Sequence, residues 1–128
     1  MRIFKTKWFA RFARKEKIGA AKLREAISRA ENGSSDAELG AGLIKRRIAR
    51  EGKGRSGGYR TLLALQVRSR SVFLYAFAKS EAGNIDELEL DGLKKLARRY
   101  LAMTDGEIEA ALMAMELTEV FDGDEGKG

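Results

Sequence analysis

The sequence predicts an α+β fold, an antiparallel sheet of about four strands with an N-terminal helical hairpin and C-terminal helices packed on it. Three observations predict it. Apolar residues recur at helical spacing over residues 6–32 and again over 86–101, the period shortens toward two between Leu43 and Lys79, and turn signals separate these runs. With 128 residues, 44% of them hydrophobic, one core suffices, and a single domain over 1–121 is expected with a frayed tail over 122–128.

Each element has its own local reason. Arg2 to Lys5 alternates like a short first strand. Thr6 to Lys17 follows as a helix whose Trp8, Phe9, Phe12 and Ala13 share one apolar face, with Lys7, Arg11, Arg14 and Lys15 displayed elsewhere. Ala20 to Asn32 buries Leu23, Ala26, Ile27 and Ala30 in the same way, and Asn32-Gly33 stops it. Strands are expected at Leu43–Arg50, Tyr59–Val67 and Ser71–Lys79, with a glycine-rich loop joining the first two and Arg68–Arg70 turning between the second two. In the last of these, Phe73, Tyr75 and Phe77 alternate with Val72, Leu74, Ala76 and Ala78, so both faces are apolar and the strand belongs in mid-sheet. Leu93, Leu96, Ala97, Tyr100 and Leu101 then form a helical stripe, with Asp86, Glu87, Glu89 and Asp91 early and Lys94, Lys95, Arg98 and Arg99 late, as the helix dipole favours. Thr104 and Glu107 match a capping box opening a short helix to about Met115, and Leu117–Phe121 could add a brief edge strand.

Charge is segregated along the chain. Residues 1–70 carry 19 lysines and arginines against 6 carboxylates, whereas residues 71–128 carry 6 against 13. A solubility device would mix the signs; a basic half instead gathers phosphate ligands, with nucleic acid the leading partner class. There is no cysteine and no histidine, so disulfides, thiolate metal sites and every Ser-His or Cys-His nucleophile are excluded, and proton transfers would fall to Lys, Tyr or carboxylates. No apolar run is long enough for a membrane span or resembles a signal peptide, and a cytoplasmic protein without a cofactor or membrane partner is expected.

The densest cationic segment is KRRIAREGKGRSGGYR, Lys45 to Arg60, with seven cations and one carboxylate. Gly52, Gly54 and Gly57 satisfy G-x-G-x-x-G formally, but the segment leads into a strand rather than a helix, and no acid follows at the spacing that would hold a ribose. The glycines suit a hairpin connection instead, with backbone amides able to face phosphate. Strand alternation puts Lys45 and Arg47 on one face and Ile44 and Ile48 on the other. Arg46 then falls between the isoleucines, which requires an edge position or a snorkelling side chain. Arg60 and Lys79 are expected at the first and last positions of their strands, close together at one rim if those strands pair antiparallel.

The order of elements, with GKGRSGGYR (Gly52 to Arg60) followed by YAFAKSE (Tyr75 to Glu81), resembles the RelE-like toxins of bacterial toxin-antitoxin modules, and more narrowly their HigB-type branch. The similarity covers about residues 1–103. It implies the RelE-like microbial RNase fold, mRNA endoribonuclease activity on messenger bound to the ribosome, and a cognate antitoxin as partner. It also implies roles for Lys45 and Arg47, which match a basic pair on the strand before the loop, for Arg60 after Gly-Tyr, and for Lys79 near the end of a later strand. Arg46, Arg50, Lys53, Arg55 and Tyr59 are expected to help bind the RNA.

RNA carries its own nucleophile, so such an enzyme has to align the 2′-hydroxyl with the adjacent phosphate and stabilise the charge that develops, without a metal. The expected scheme has Lys45 taking the 2′ proton, Arg47 and Arg60 gripping phosphate oxygens, and Lys79 protonating the 5′ leaving oxygen. The alternative is a non-catalytic RNA- or ribosome-binding protein using the same surface. A DNA-binding regulator is disfavoured because no helix-turn-helix with a basic recognition helix is visible.

Overall fold

A computed structural model describes residues 1–33, 37–50, 54–78 and 86–121, with the side chains of residues 50 and 54–57 outside the description. Its strands are β1 (Arg2–Thr6), β2 (Ala37–Gly40), β3 (Leu43–Arg50), β4 (Gly54–Gln66), β5 (Arg70–Ala78) and β6 (Leu117–Val120). The helices are α1 (Lys7–Glu16), α2 (Ala20–Glu31), α3 (Glu87–Ala102) and α4 (Asp105–Met113). All six strands join one sheet in the order β2-β3-β4-β5-β1-β6.

This corrects the expected four-stranded antiparallel sheet in two ways. First, β1 runs parallel to β5, in the register Arg2↔Arg70 to Lys5↔Phe73, so the sheet is mixed. Parallel neighbours need a long crossover, and here the whole of α1, α2 and the β2–β4 meander supplies it. Second, short strands cover both edges. β6 pairs with β1 through Ile3↔Val120 and Thr6↔Leu117, and β2 pairs with the start of β3. β2 has only four residues and half-buried side chains at alternate positions, too little apolar signal to be read from sequence.

The helices sit where the sequence places them because their caps fix them. Thr6 Oγ accepts the Phe9 N–H at 3.1 Å and starts α1, and Asp86 does the same for Glu89 at 2.8 Å at the head of α3. The capping box of α4 is complete, with Thr104 and Glu107 each accepting the other's backbone N–H. One apolar layer packs α1 and α2 on the sheet through Phe9, Leu23, Ile27, Ile44, Leu63 and Phe73; the opposite layer packs α3 and α4 through Leu93, Ala97, Ile108, Leu62 and Val72. With both faces covered, the central strands are apolar on both sides, as expected for β5.

A β-bulge changes that strand's alternation. Leu62 faces Tyr75 but Leu63 faces Phe73, leaving Leu74 as an extra residue. Phe73, Ala76 and Ala78 therefore point to the α1–α2 layer, whereas Val72, Leu74 and Phe77 point to the α3–α4 layer, with Tyr75 packed at its margin. The expected grouping of Phe73, Tyr75 and Phe77 on one face is overturned because an inserted residue shifts the period-two pattern by one.

The β2–β3 turn approaches α3 closely. Gly40, Ala41 and Gly42 all have positive φ, and a Cβ on Gly42 would meet Leu101 Cδ1 at 2.5 Å. The positive φ favours glycine at that position, and any larger residue would also make the Leu101 side chain shift.

Candidate active site

The antiparallel β3–β4 pairing brings Arg47 directly opposite Arg60, and Lys45 directly opposite Leu62. The next pairing continues both rows, with Arg60 opposite Phe77 and Leu62 opposite Tyr75. The upper row thus reads Arg47, Arg60, Phe77, and the lower reads Lys45, Leu62, Tyr75. Both lie on the α3–α4 side of the sheet, since Leu43, Leu62, Ala64 and Phe77 of the same alternation belong to that layer.

Like charges placed directly across a ladder repel one another. Lys45 and Arg60 are half-buried, and among the described residues neither has an ion pair. Arg60 Nη1 is buried without a hydrogen-bond partner among those residues. Arg47 is exposed, so the row runs from an open rim inward to a desolvated guanidinium. Such a row concentrates positive potential where a bound phosphate would supply the missing acceptors.

The sheet holds a second arginine pair in register, Arg2 opposite Arg70. Here every guanidinium is satisfied. Arg2 grips Glu119 through Nε and Nη2 at 3.0 and 2.8 Å and meets Glu109 at 3.0 Å. The hydrogen bond to Glu119 is the main reason the Arg2 guanidinium holds its proton even more firmly than usual. Arg70, only 12% exposed, donates to the carbonyls of Tyr100 and Met103, both at 2.8 Å, and approaches Asp105. These are the free carbonyls at the C-terminus of α3, the negative end of its dipole.

The other expected site residues divide. Arg46 is 8% exposed and turns to the opposite face, where Ile44 and Ile48 flank it and Thr61 donates to its carbonyl at 2.6 Å. The anomaly of a cation between two isoleucines is therefore a buried arginine, away from the Arg47–Arg60 row. Tyr59, expected to help bind RNA, is 3% exposed, and its hydroxyl donates to Glu16 at the end of α1. β4 begins five residues earlier than expected, at Gly54 opposite Arg50, so Tyr59 and Arg60 are interior strand positions and much of the expected loop is strand. Arg50 and Arg55 lie on the paired strands β3 and β4, with side chains outside the description. Lys53, Lys79 and the segment 122–128 lie outside the described residues altogether.

Trp8 is the site-adjacent residue that helical periodicity misassigned. Assigned to the apolar face of α1, it is instead 43% exposed and packs against Tyr75 with ring centroids 4.6 Å apart. A cavity of about 500 Å³ opens on the other side of the sheet, between α2 and β3, where Lys22, Arg29, Arg46 and Arg47 face a single carboxylate, Glu25. Arg47 lines both this cavity and the Arg60 row, because β2 pairs with β3 only as far as Lys45 among the described residues.

No group of three or more potential metal-ligating side chains occurs among the described residues. None of their helices is long and apolar enough to cross a membrane. The geometry is that of a small α+β protein with a cationic row on its sheet, in which Lys45 and Arg60 have no ion pair among the described residues. A family model described as the RelE toxin of the RelE / RelB toxin-antitoxin system matches residues 1–120, and the chain belongs to that family. It is the toxin component of a toxin-antitoxin module, and membership implies a cognate antitoxin. No match to a curated protein was found.

Proposed function

We propose that this toxin is an mRNA endoribonuclease that acts in the cytoplasm on messenger held by the ribosome, and that it belongs to the HigB-type branch suggested by GKGRSGGYR. Toxins of this family are generally endoribonucleases, which supports the reaction class. The observation that carries the reading is the register of Arg47 with Arg60, beside Lys45 on the same face, in a row without a carboxylate partner for Lys45 or Arg60 among the described residues.

The 2′-oxygen attacks the adjacent phosphorus while the P–O5′ bond breaks. Lys45 receives the 2′ proton, and Arg47 and Arg60 hold the non-bridging oxygens as charge builds on them. Lys79 returns a proton to O5′. The products are a 2′,3′-cyclic phosphate and a 5′-hydroxyl, and cleavage proceeds in EDTA. The half-buried setting of Arg60 raises the worth of its bonds to phosphate over those of an exposed arginine.

Primer extension on translated messenger after brief induction tests this reading, with wild type compared against Arg60→Ala. Discrete cuts that vanish in the variant support it. Growth arrest with intact messenger would instead support the non-catalytic ribosome-binding alternative. Cleavage of a substrate carrying 2′-deoxyribose at the scissile position would eliminate the mechanism.

A further inference from the structure

We propose that Trp8 and Tyr75 form a nucleobase subsite beside the Arg47–Arg60 row, an inference that rests on RNA being the substrate. Its basis is the way β1 ends. β1 pairs with β5 only as far as Lys5↔Phe73, and α1 begins at the next turn, so the outer flank of β5 beyond Phe73 has no strand beside it among the described residues. Trp8 fills that flank. Its ring lies 4.6 Å from Tyr75 and 5.4 Å from Phe12, nearly parallel to the latter at 11°.

The bulge at Leu74 makes this arrangement continuous with the cations. It sets Tyr75 opposite Leu62 and Phe77 opposite Arg60, and the Tyr75 and Phe77 rings lie 6.3 Å apart. A strip therefore runs from Trp8 and Tyr75, over the buried Phe77, to Arg60 and Arg47. Tyr75 and Phe77 lie one strand from Arg60, about 5 Å in the hydrogen-bonding direction.

Trp8 has surface left for a ligand. It is 43% exposed although two rings touch it, and its indole N–H has no hydrogen-bond partner among the described residues. Exposed cations flank it on α1, Lys7 one residue before and Arg11 three residues after. Aromatic side chains interleaved with cations are the arrangement by which proteins hold single-stranded nucleic acid, the rings contacting bases while the cations neutralise phosphates. A side chain serving only as a lid on Tyr75 gains nothing from this basic flank.

Trp8 is the single tryptophan in the sequence, so its emission reports on this position alone. Wild-type protein is titrated at low salt with a short 2′-O-methyl RNA, which cannot be cut, and separately with inorganic polyphosphate, a polyanion without bases. Anisotropy of labelled RNA gives binding independently. The expected result is saturable quenching by RNA and little by polyphosphate, with Trp8→Ala weakening RNA about tenfold, Trp8→Phe recovering most of the loss, and polyphosphate affinity unchanged. RNA that binds by anisotropy without altering the emission, equal quenching by polyphosphate, or no RNA binding overturns the subsite. Primer extension in induced cells judges the endoribonuclease reading separately: cuts that depend on Arg60 leave it standing when the subsite fails, and their absence removes both.

Discussion

The sheet places two arginine pairs in register on the same face, and they have opposite surroundings. Arg2 and Arg70 sit at the starts of β1 and β5, where carboxylates and the carbonyl end of α3 absorb both charges. Arg47 and Arg60 face each other near the other end, where Arg60 has no ion pair among the described residues and one buried nitrogen without an acceptor. Arginine opposes arginine in both, in parallel register in the first pair, where it is structural, and in antiparallel register in the second, where Arg60 costs stability. The difference lies in what the described residues supply: carboxylates and backbone carbonyls at one end, and no acceptor for Arg60 Nη1 at the other. A fold gains nothing by leaving a half-buried Arg60 with an unmatched nitrogen, and a phosphate bound there, as proposed, would supply the acceptor.

Substitutions can break the comparison or sharpen it. The largest effect is expected from Arg60→Ala, which should lower the cleavage rate by about 10²- to 10³-fold, with messenger cleavage as the readout. Next is Arg70→Ala, which strips two carbonyls of a charged donor and should destabilise the fold by about 3 kcal/mol in urea unfolding while the folded fraction keeps its activity. Loss of activity without loss of stability in Arg70→Ala would erase the distinction between the two ends. Arg60→Met should stabilise by about 1 kcal/mol, since it removes a like-charge opposition and an unmatched buried nitrogen, while abolishing cleavage. The smallest effect belongs to Arg2→Ala. Its side chain is 43% exposed, so the loss should stay below about 1 kcal/mol and shrink further in high salt.

Helices were legible in this chain wherever caps and periodicity agreed, as at Asp86, Thr104 and the Leu93–Ala97–Tyr100 stripe. Sheet pairing was not. Alternation reports which residues are buried but not which strand lies alongside, so nothing in Arg2–Thr6 announces a parallel partner 68 residues away. The bulge at Leu74 was equally hidden, because Val72 to Ala78 is apolar at every position and a shift of one residue leaves no trace in hydropathy. Lys45 and Arg47 were legible as a same-face pair from spacing alone. Their meeting with Arg60 depended on β3–β4 register, which the early start of β4 at Gly54 sets. Trp8 was misread because helical periodicity cannot distinguish the core side of an apolar stripe from its rim. Arg46 was the informative anomaly, a charge at a buried position that pattern alone could flag but not resolve.

The placement of β1 also sets when the sheet can be completed. Its first strand lies between β5 and β6, with Ile3 beside Val120, so among the described strands it has no neighbour until the polypeptide has been synthesised as far as β5. At common elongation rates that delay is roughly 4 to 14 s. Pairings so distant in sequence also slow the final collapse. Trp8 and the start of α1 reach their places beside β5 only when β1 docks, so the nascent chain lacks that arrangement through the interval, in which an antitoxin already present can meet it.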